Sequence, residues 1–139
     1  MRTVHFADDL QKKEISFNNL NVESIYTNNL EEFISTKADA YFHWHFENAP
    51  EIIAKLKDLQ GVVVINSVPD TLKEIGLKNN FIRINGWPGF ANNPIKEIAA
   101  ANEGTAIQLF EAMGWQFKVV PDVVGFVTPR VIAMIINEA

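Results

Sequence analysis

Six short apolar or β-branched runs, at residues 3–6, 24–26, 40–46, 62–65, 81–84 and 117–120, alternate with stretches of helical periodicity. This alternation constrains the fold more than any other feature of the chain. Residues 30–34 follow Asn28 and Asn29, which suit a helix start, and residues 50–59 place Ile52, Ile53, Leu56 and Leu59 on one face. A short helix over 69–75 has Pro69 at its first position. A longer one over 105–113 turns Ile107, Leu109, Phe110 and Met113 inward before Gly114 stops it. Strands separated by helical crossovers pair in parallel. The pattern therefore predicts an α/β domain with a mostly parallel sheet and helices on both faces. The runs at 40–46, 62–65 and 81–84 are the most apolar and are expected at the sheet centre. Residues 85–102, with Gly86, Pro88, Gly89 and Pro94, read as an ordered loop at strand ends, where such sheets hold ligands.

The 139 residues fit one domain, 1–139, and with 47% hydrophobic against 21% charged residues they can bury a core and are not expected to be disordered. There are no cysteines, which removes a disulfide framework and a zinc-thiolate site and makes the cytoplasm the default compartment. The opening residues lack the charged-then-apolar pattern of a secretion leader, and no run approaches the roughly 18 apolar residues of a membrane span, so no membrane partner is expected. A net charge of −5 without a basic cluster argues against a nucleic-acid partner.

Several clusters admit two readings. His43, His45 and Glu47 alternate along the 40–46 run and resemble a metal-binding trio. Imidazoles on a strand covered on both faces are more often packing residues, so no metal is expected. His5 reads as structural, and Asp8-Asp9 as a solvated turn or helix start. Trp87, Phe90 and Trp115 suit either a ligand pocket or the core, and Trp87 stands out between Gly86 and Pro88. Near the C-terminus, Gly125 is a turn point, Thr128 an N-cap and Pro129 a first helical residue. The helix expected over 129–137 has no polar face across Val131, Ile132, Ala133, Met134, Ile135 and Ile136. It should be covered by its own domain or by a second chain, and a symmetric homodimer is the favoured expectation.

The run Asp122-Val-Val-Gly125-Phe126-Val-Thr-Pro-Arg130 resembles the junction in 3-hydroxyacyl-CoA dehydrogenases where the last Rossmann strand gives way to the first helix of the α-helical domain, here 129–138. From about Asp39 onward the motif order is similar to the second half of that family's nucleotide domain. Tyr41 to Asn48 resembles the strand ending in a Glu-Asn pair beside the cofactor, here Glu47-Asn48. Val62 to Ser67 resembles the strand ending in an Asn-Thr-Ser segment whose serine touches substrate, here Asn66-Ser67. Asn85, with Glu97 twelve residues beyond, resembles the catalytic histidine and its orienting glutamate.

The resemblance implies a truncated Rossmann-like domain with ligand-binding candidates Glu47, Asn66, Ser67, Asn85 and Trp87. Its departures are as informative. Residues 1–29 contain no glycine, so the family's first strand with its Gly-x-Gly-x-x-Gly loop is taken as absent. NAD is then expected only if the family's binding mode survives without that loop. Asn85 stands where the base would be and cannot take a proton near neutral pH. The expectation is a protein more binder than enzyme, an oligomerising or acyl-CoA-like ligand-binding module. The alternative is an active oxidoreductase of this type completed by a partner chain.

Overall fold

Strand-forming runs and short crossovers build one sheet in the computed structural model, which describes residues 1–15, 19–77, 79–86 and 94–126. Along the chain the elements are β1 (Arg2–Phe6), α1 (Asp9–Ile15), β2 (Glu23–Thr27), α2 (Leu30–Ser35), β3 (Ala40–His43), α3 (Pro50–Lys57), β4 (Val62–Asn66), α4 (Leu72–Ile75), β5 (Phe81–Ile84), β6 (Ile95–Ala100), α5 (Glu103–Met113) and β7 (Gln116–Val119). The sheet order is β2-β1-β3-β4-β5-β6-β7. Every neighbouring pair is parallel except β5 and β6, which run antiparallel. The three most apolar runs, β3, β4 and β5, are the three middle strands, because each is covered on both faces.

Side-chain alternation divides the core between those faces. One face packs Phe42, Trp44, Val64, Ile82, Ile84 and Ile98 against Ile15 of α1 and Ala106, Leu109, Phe110 and Met113 of α5. The other packs Val4, Tyr41, Val63, Ile65 and Phe81 against Phe33 of α2, Leu56 of α3 and Leu72 of α4. Each fully buried aliphatic chain contributes roughly 1.5–3 kcal/mol. Helices α2, α4 and α5 start on side-chain caps, Asn29 accepting from the Glu32 amide, Thr71 from Glu74 and Asn102 from Thr105. Gly76 and Gly114 end α4 and α5 at φ of 81° and 73°, where a Cβ would be strained.

Several expectations are corrected. A first strand is present: β1 sits between β2 and β3, at the point where the strand order reverses, with α1 directly after it. The loop expected over 85–102 contains β6, whose Asn85 end is tied by the Asn85 amide to the Glu97 carbonyl at 3.0 Å. Strand β3 stops at His43, where Trp44 and His45 enter a turn. Pro69 does not open α4: the Ser67 hydroxyl donates to the Asp70 carbonyl at 2.9 Å and holds a turn, so the helix starts after Thr71. Ile107 is 36% exposed, because the buried face of α5 runs through Ala106, Leu109, Phe110 and Met113. Trp87, Phe90 and the helix expected over 129–137 lie outside the described residues.

The carbonyl-rich segment after β4 is anchored from a distance. Arg83 on β5 is fully buried, donating through Nε to the Ser67 carbonyl at 2.8 Å and through Nη2 to the Val68 carbonyl at 3.0 Å. Its Nη1 reaches the Asp122 carboxylate at 2.7 Å and the Val123 carbonyl at 3.1 Å. The guanidinium lies 4.2 Å from the centre of the Phe126 ring. Asp122 in turn accepts from the Leu72 and Lys73 amides at 3.2 and 3.3 Å, the unpaired N–H groups of the first turn of α4. One ion pair therefore joins β5, α4 and the segment after β7.

Candidate functional site

In an open α/β sheet ligands bind beyond the carboxyl ends of the strands, at the reversal of strand order. Here that reversal lies between β1 and β3, and three polar side chains, those of Asp8, Gln11 and Asn66, join the strand ends beside it. Asp8 precedes α1 and accepts from the Gln11 amide at 2.8 Å, while the Asp8 amide donates to Gln11 Oε1 at 3.0 Å. This reciprocal capping box satisfies donors of the helix N-terminus from within. Gln11 Nε2 then donates to the Trp44 carbonyl at 3.0 Å, and Asn66 Nδ2 donates to the same carbonyl at 3.0 Å and to the Gly86 carbonyl at 3.1 Å. The Gly86 amide returns a bond to Asn66 Oδ1 at 2.9 Å. The result is a belt of hydrogen bonds from α1 across the ends of β3, β4 and β5. Gly86 fits because it has no side chain: a Cβ there would come within 2.8 Å of Asn66 Cγ and 2.9 Å of Trp44 Cε3.

The belt departs from the cradle that a dinucleotide usually takes. The pyrophosphate needs unpaired amides at the start of the helix after β1 and backbone free of side chains. Phe6-Ala7-Asp8-Asp9 offers instead two exposed carboxylates, one of them already capping the helix. Carboxylates at that helix start oppose a diphosphate.

Beneath the belt a second polar chain runs along β1. Trp44 Nε1 donates to His5 Nδ1 at 2.9 Å, which places the ring proton on Nε2, within 3.1 Å of the Thr3 hydroxyl. Thr3 also meets the Ser24 hydroxyl at 3.2 Å. Burial pushes His5 down to a pKa of about 3, so it stays neutral, stacked between Tyr26 and Phe42. The expectation that His5 is structural agrees with this packing.

On the opposite face, at the β5/β6 end, Asn85 is 3% exposed and its Nδ2 donates to Glu97 Oε1 at 3.2 Å. The two residues aligned with a catalytic pair are thus brought into contact, Glu97 half-buried on β6. The Asn85 amide itself does not accept a proton as a histidine would. Ser67 is buried nearby, its hydroxyl proton committed to Asp70. Asn66 projects to the other face and is used fully in the belt. Glu47 lies apart from all three, exposed at the β1/β3 end.

The His43, His45, Glu47 alternation fails because β3 ends at His43. His43 is 2% exposed, whereas His45 is exposed in the turn, 4.0 Å from Asp8 Oδ2. Among the described residues no group of three metal-ligating side chains is close enough to hold an ion. His43 is held at a pKa of about 4, chiefly by burial and also by His45, with its own backbone pulling the other way. His43, His45 and Glu47 line a cavity of about 180 Å³ with Phe6, Leu30 and Ile52.

The residues that sequence reading missed, Asp8 with Gln11, Trp44, Gly86, Arg83 and Asp122, act through contacts between distant strands. Only Asp8-x-x-Gln11 carried a local signal, the spacing of a capping box. Among the described residues no helix is long and apolar enough to cross a membrane.

No protein-family model matches the chain, and no curated protein matches it. Solved structures do. A 3-hydroxyacyl-CoA dehydrogenase from Archaeoglobus fulgidus superposes with a TM-score of 0.70 at 14% identity, covering 99% of this chain and 62% of that one. FadB2 of M. tuberculosis gives 0.56 at 17% identity over 83% of this chain and 48% of its own. An NAD+-dependent dismutase, 5-formyl-3-hydroxy-2-methylpyridine 4-carboxylic acid 5-dehydrogenase, gives 0.62 at 17% identity over 83% and 42%. The chain spans less than two thirds of the length of each. At these identities the likeness is one of fold: this is a Rossmann-like α/β domain of the kind found in 3-hydroxyacyl-CoA dehydrogenases, as the motif order implied.

Proposed function

We propose that this chain is a 3-hydroxyacyl-CoA dehydrogenase-like domain that does not oxidise its ligand, and that it binds a small acyl-CoA-like molecule at the Asn85 and Glu97 end of the sheet. The observation that carries this reading is the hydrogen-bonded belt from Asp8 to Gly86, in which protein groups pair with one another at the strand ends where sheets of this kind hold ligands. Asn85 in the base position supports it, since oxidation of a 3-hydroxyl needs both a proton acceptor and a hydride acceptor. Asn85, the Ser67 oxygen and Glu97 can still orient a thioester or its 3-oxygen by hydrogen bonds. Trp87, two residues beyond Asn85 in sequence, belongs to the same proposal.

Acetoacetyl-CoA should raise the melting temperature by several degrees at saturation, because a ligand bound only by the folded state at about 100 times its Kd adds about 2.7 kcal/mol. Glu97→Ala should abolish the shift. No shift at millimolar thioester would contradict the binding half of the proposal.

The same proposal includes a homodimer formed through residues 129–137, whose uninterrupted apolar sequence needs cover. Light scattering at tens of micromolar, an order-of-magnitude working concentration for a stable interface, should give twice the chain mass. Monomer mass at that concentration would remove the dimer.

A further inference from the structure

A groove of about 350 Å³ lies between α4 and the end of β6. Leu72, Gly76, Leu77, Ala100 and Ala101 line it, and its charged lining residues are Lys73 and Asp122. Helices α2, α3 and α4 pack on this face of the sheet, whereas α1 and α5 pack on the other, so among the described residues no helix lies beyond α4 on this side. Val124, two residues past Asp122, is 50% exposed. We infer that, in the homodimer on which this inference rests, the groove receives the apolar run 129–137 of the second copy, each subunit filling the other's.

Where the described chain ends points to this occupant. Residues 127–139 follow Phe126, which packs on Arg83, and Arg83 is paired to Asp122 in the groove lining. The groove extends alongside Leu72 to Leu77, about 9 Å at 1.5 Å per residue, and the run 129–137 in helical form covers about 13 Å. Gly76, Ala100 and Ala101 are small, while Val131, Ile132, Met134, Ile135 and Ile136 are large, so the two surfaces can interdigitate. Lys73 makes no ion pair among the described residues, and Glu138 at the end of the run carries the opposite charge. A two-fold exchange is reciprocal. It covers both runs and both grooves, and the assembly closes.

The chain has no cysteine, so an introduced pair reports a single contact. Ala101, exposed at the groove, is changed to Cys in one copy, and a second, tagged copy carries one cysteine at each of positions 131 to 136 in turn. Co-expression lets mixed dimers form. Oxidation should join the two copies covalently at one or more of these positions, and Leu20→Cys, at a fully exposed site elsewhere, should join at none. Ala101→Glu should reduce the mass seen by light scattering from two chains to one. Twice the chain mass for the unmodified protein, with no such link formed and Ala101→Glu still dimeric, would overturn the groove and leave the dimer standing. Monomer mass for the unmodified protein would remove the dimer and the exchange together. A chain carrying both cysteines that closes on itself, while the mixed copies do not join, would also overturn the exchange, because the run would then fold back on its own sheet.

Discussion

Lowering the pH from 7 to 5 should cost the folded protein about 2 kcal/mol for each of His5 and His43. Both imidazoles are buried neutral, with pKa values pushed from 6.5 to about 3 and about 4 by desolvation. The unfolded chain therefore takes up protons first. Stability is complete above pH 6.5, falls as the pH drops below that value, and the loss is finished only once the pH has passed through about 4 for His43 and about 3 for His5. Urea unfolding midpoints at the two pH values read the change directly. His43→Phe should remove about half of the slope and raise stability at pH 5. Equal midpoints at pH 7 and 5 would show that burial does not hold the two rings neutral.

Replacing Asp122 by alanine should destabilise the fold by about 3–5 kcal/mol, the range for breaking a buried ion pair by removing one partner. Arg83 is fully buried and would keep its carbonyl partners but lose its only anionic one in the described contacts. The Leu72 and Lys73 amides in the first turn of α4 would lose their acceptor at the same time. For a domain of this length the melting temperature should fall by roughly 10–20 °C. Asp122→Asn should retain part of the stability, because its amide oxygen still accepts from Arg83 and from the helix. A change below about 1 kcal/mol in Asp122→Ala, within the range of exposed pairs, would mean that Arg83 does not depend on this carboxylate.

Sequence patterns reveal what is local. The runs of β3, β4 and β5 are apolar on both faces, and that two-sidedness was enough to place them at the sheet centre. Strand β6 escaped because Lys96 and Glu97 interrupt its apolar run, although Lys96 is buried and Glu97 meets Asn85. Helix α1 was legible only as a possible start at Asp8-Asp9, since Ile15 is its sole buried residue. With α1 unseen, β1 had no crossover to follow it and its place beside β3 was lost. The family resemblance, which aligned Asn85 and Glu97 with a catalytic pair, implied a contact that the structure makes. The Asn66 to Gly86 and Arg83 to Asp122 contacts span 20 and 39 residues. No period or turn signal encodes such contacts, which exist only once the strands are assembled.

The central claim is that protein groups fill the place of the dinucleotide, and titration calorimetry with NAD+ and NADH tests it most directly. Neither form should produce saturable heat at concentrations up to the millimolar range, and the purified chain should not reduce NAD+ with a 3-hydroxyacyl-CoA, with or without Asn85→His. A Kd well below millimolar for either form, accompanied by turnover that disappears in Glu97→Ala, would contradict it.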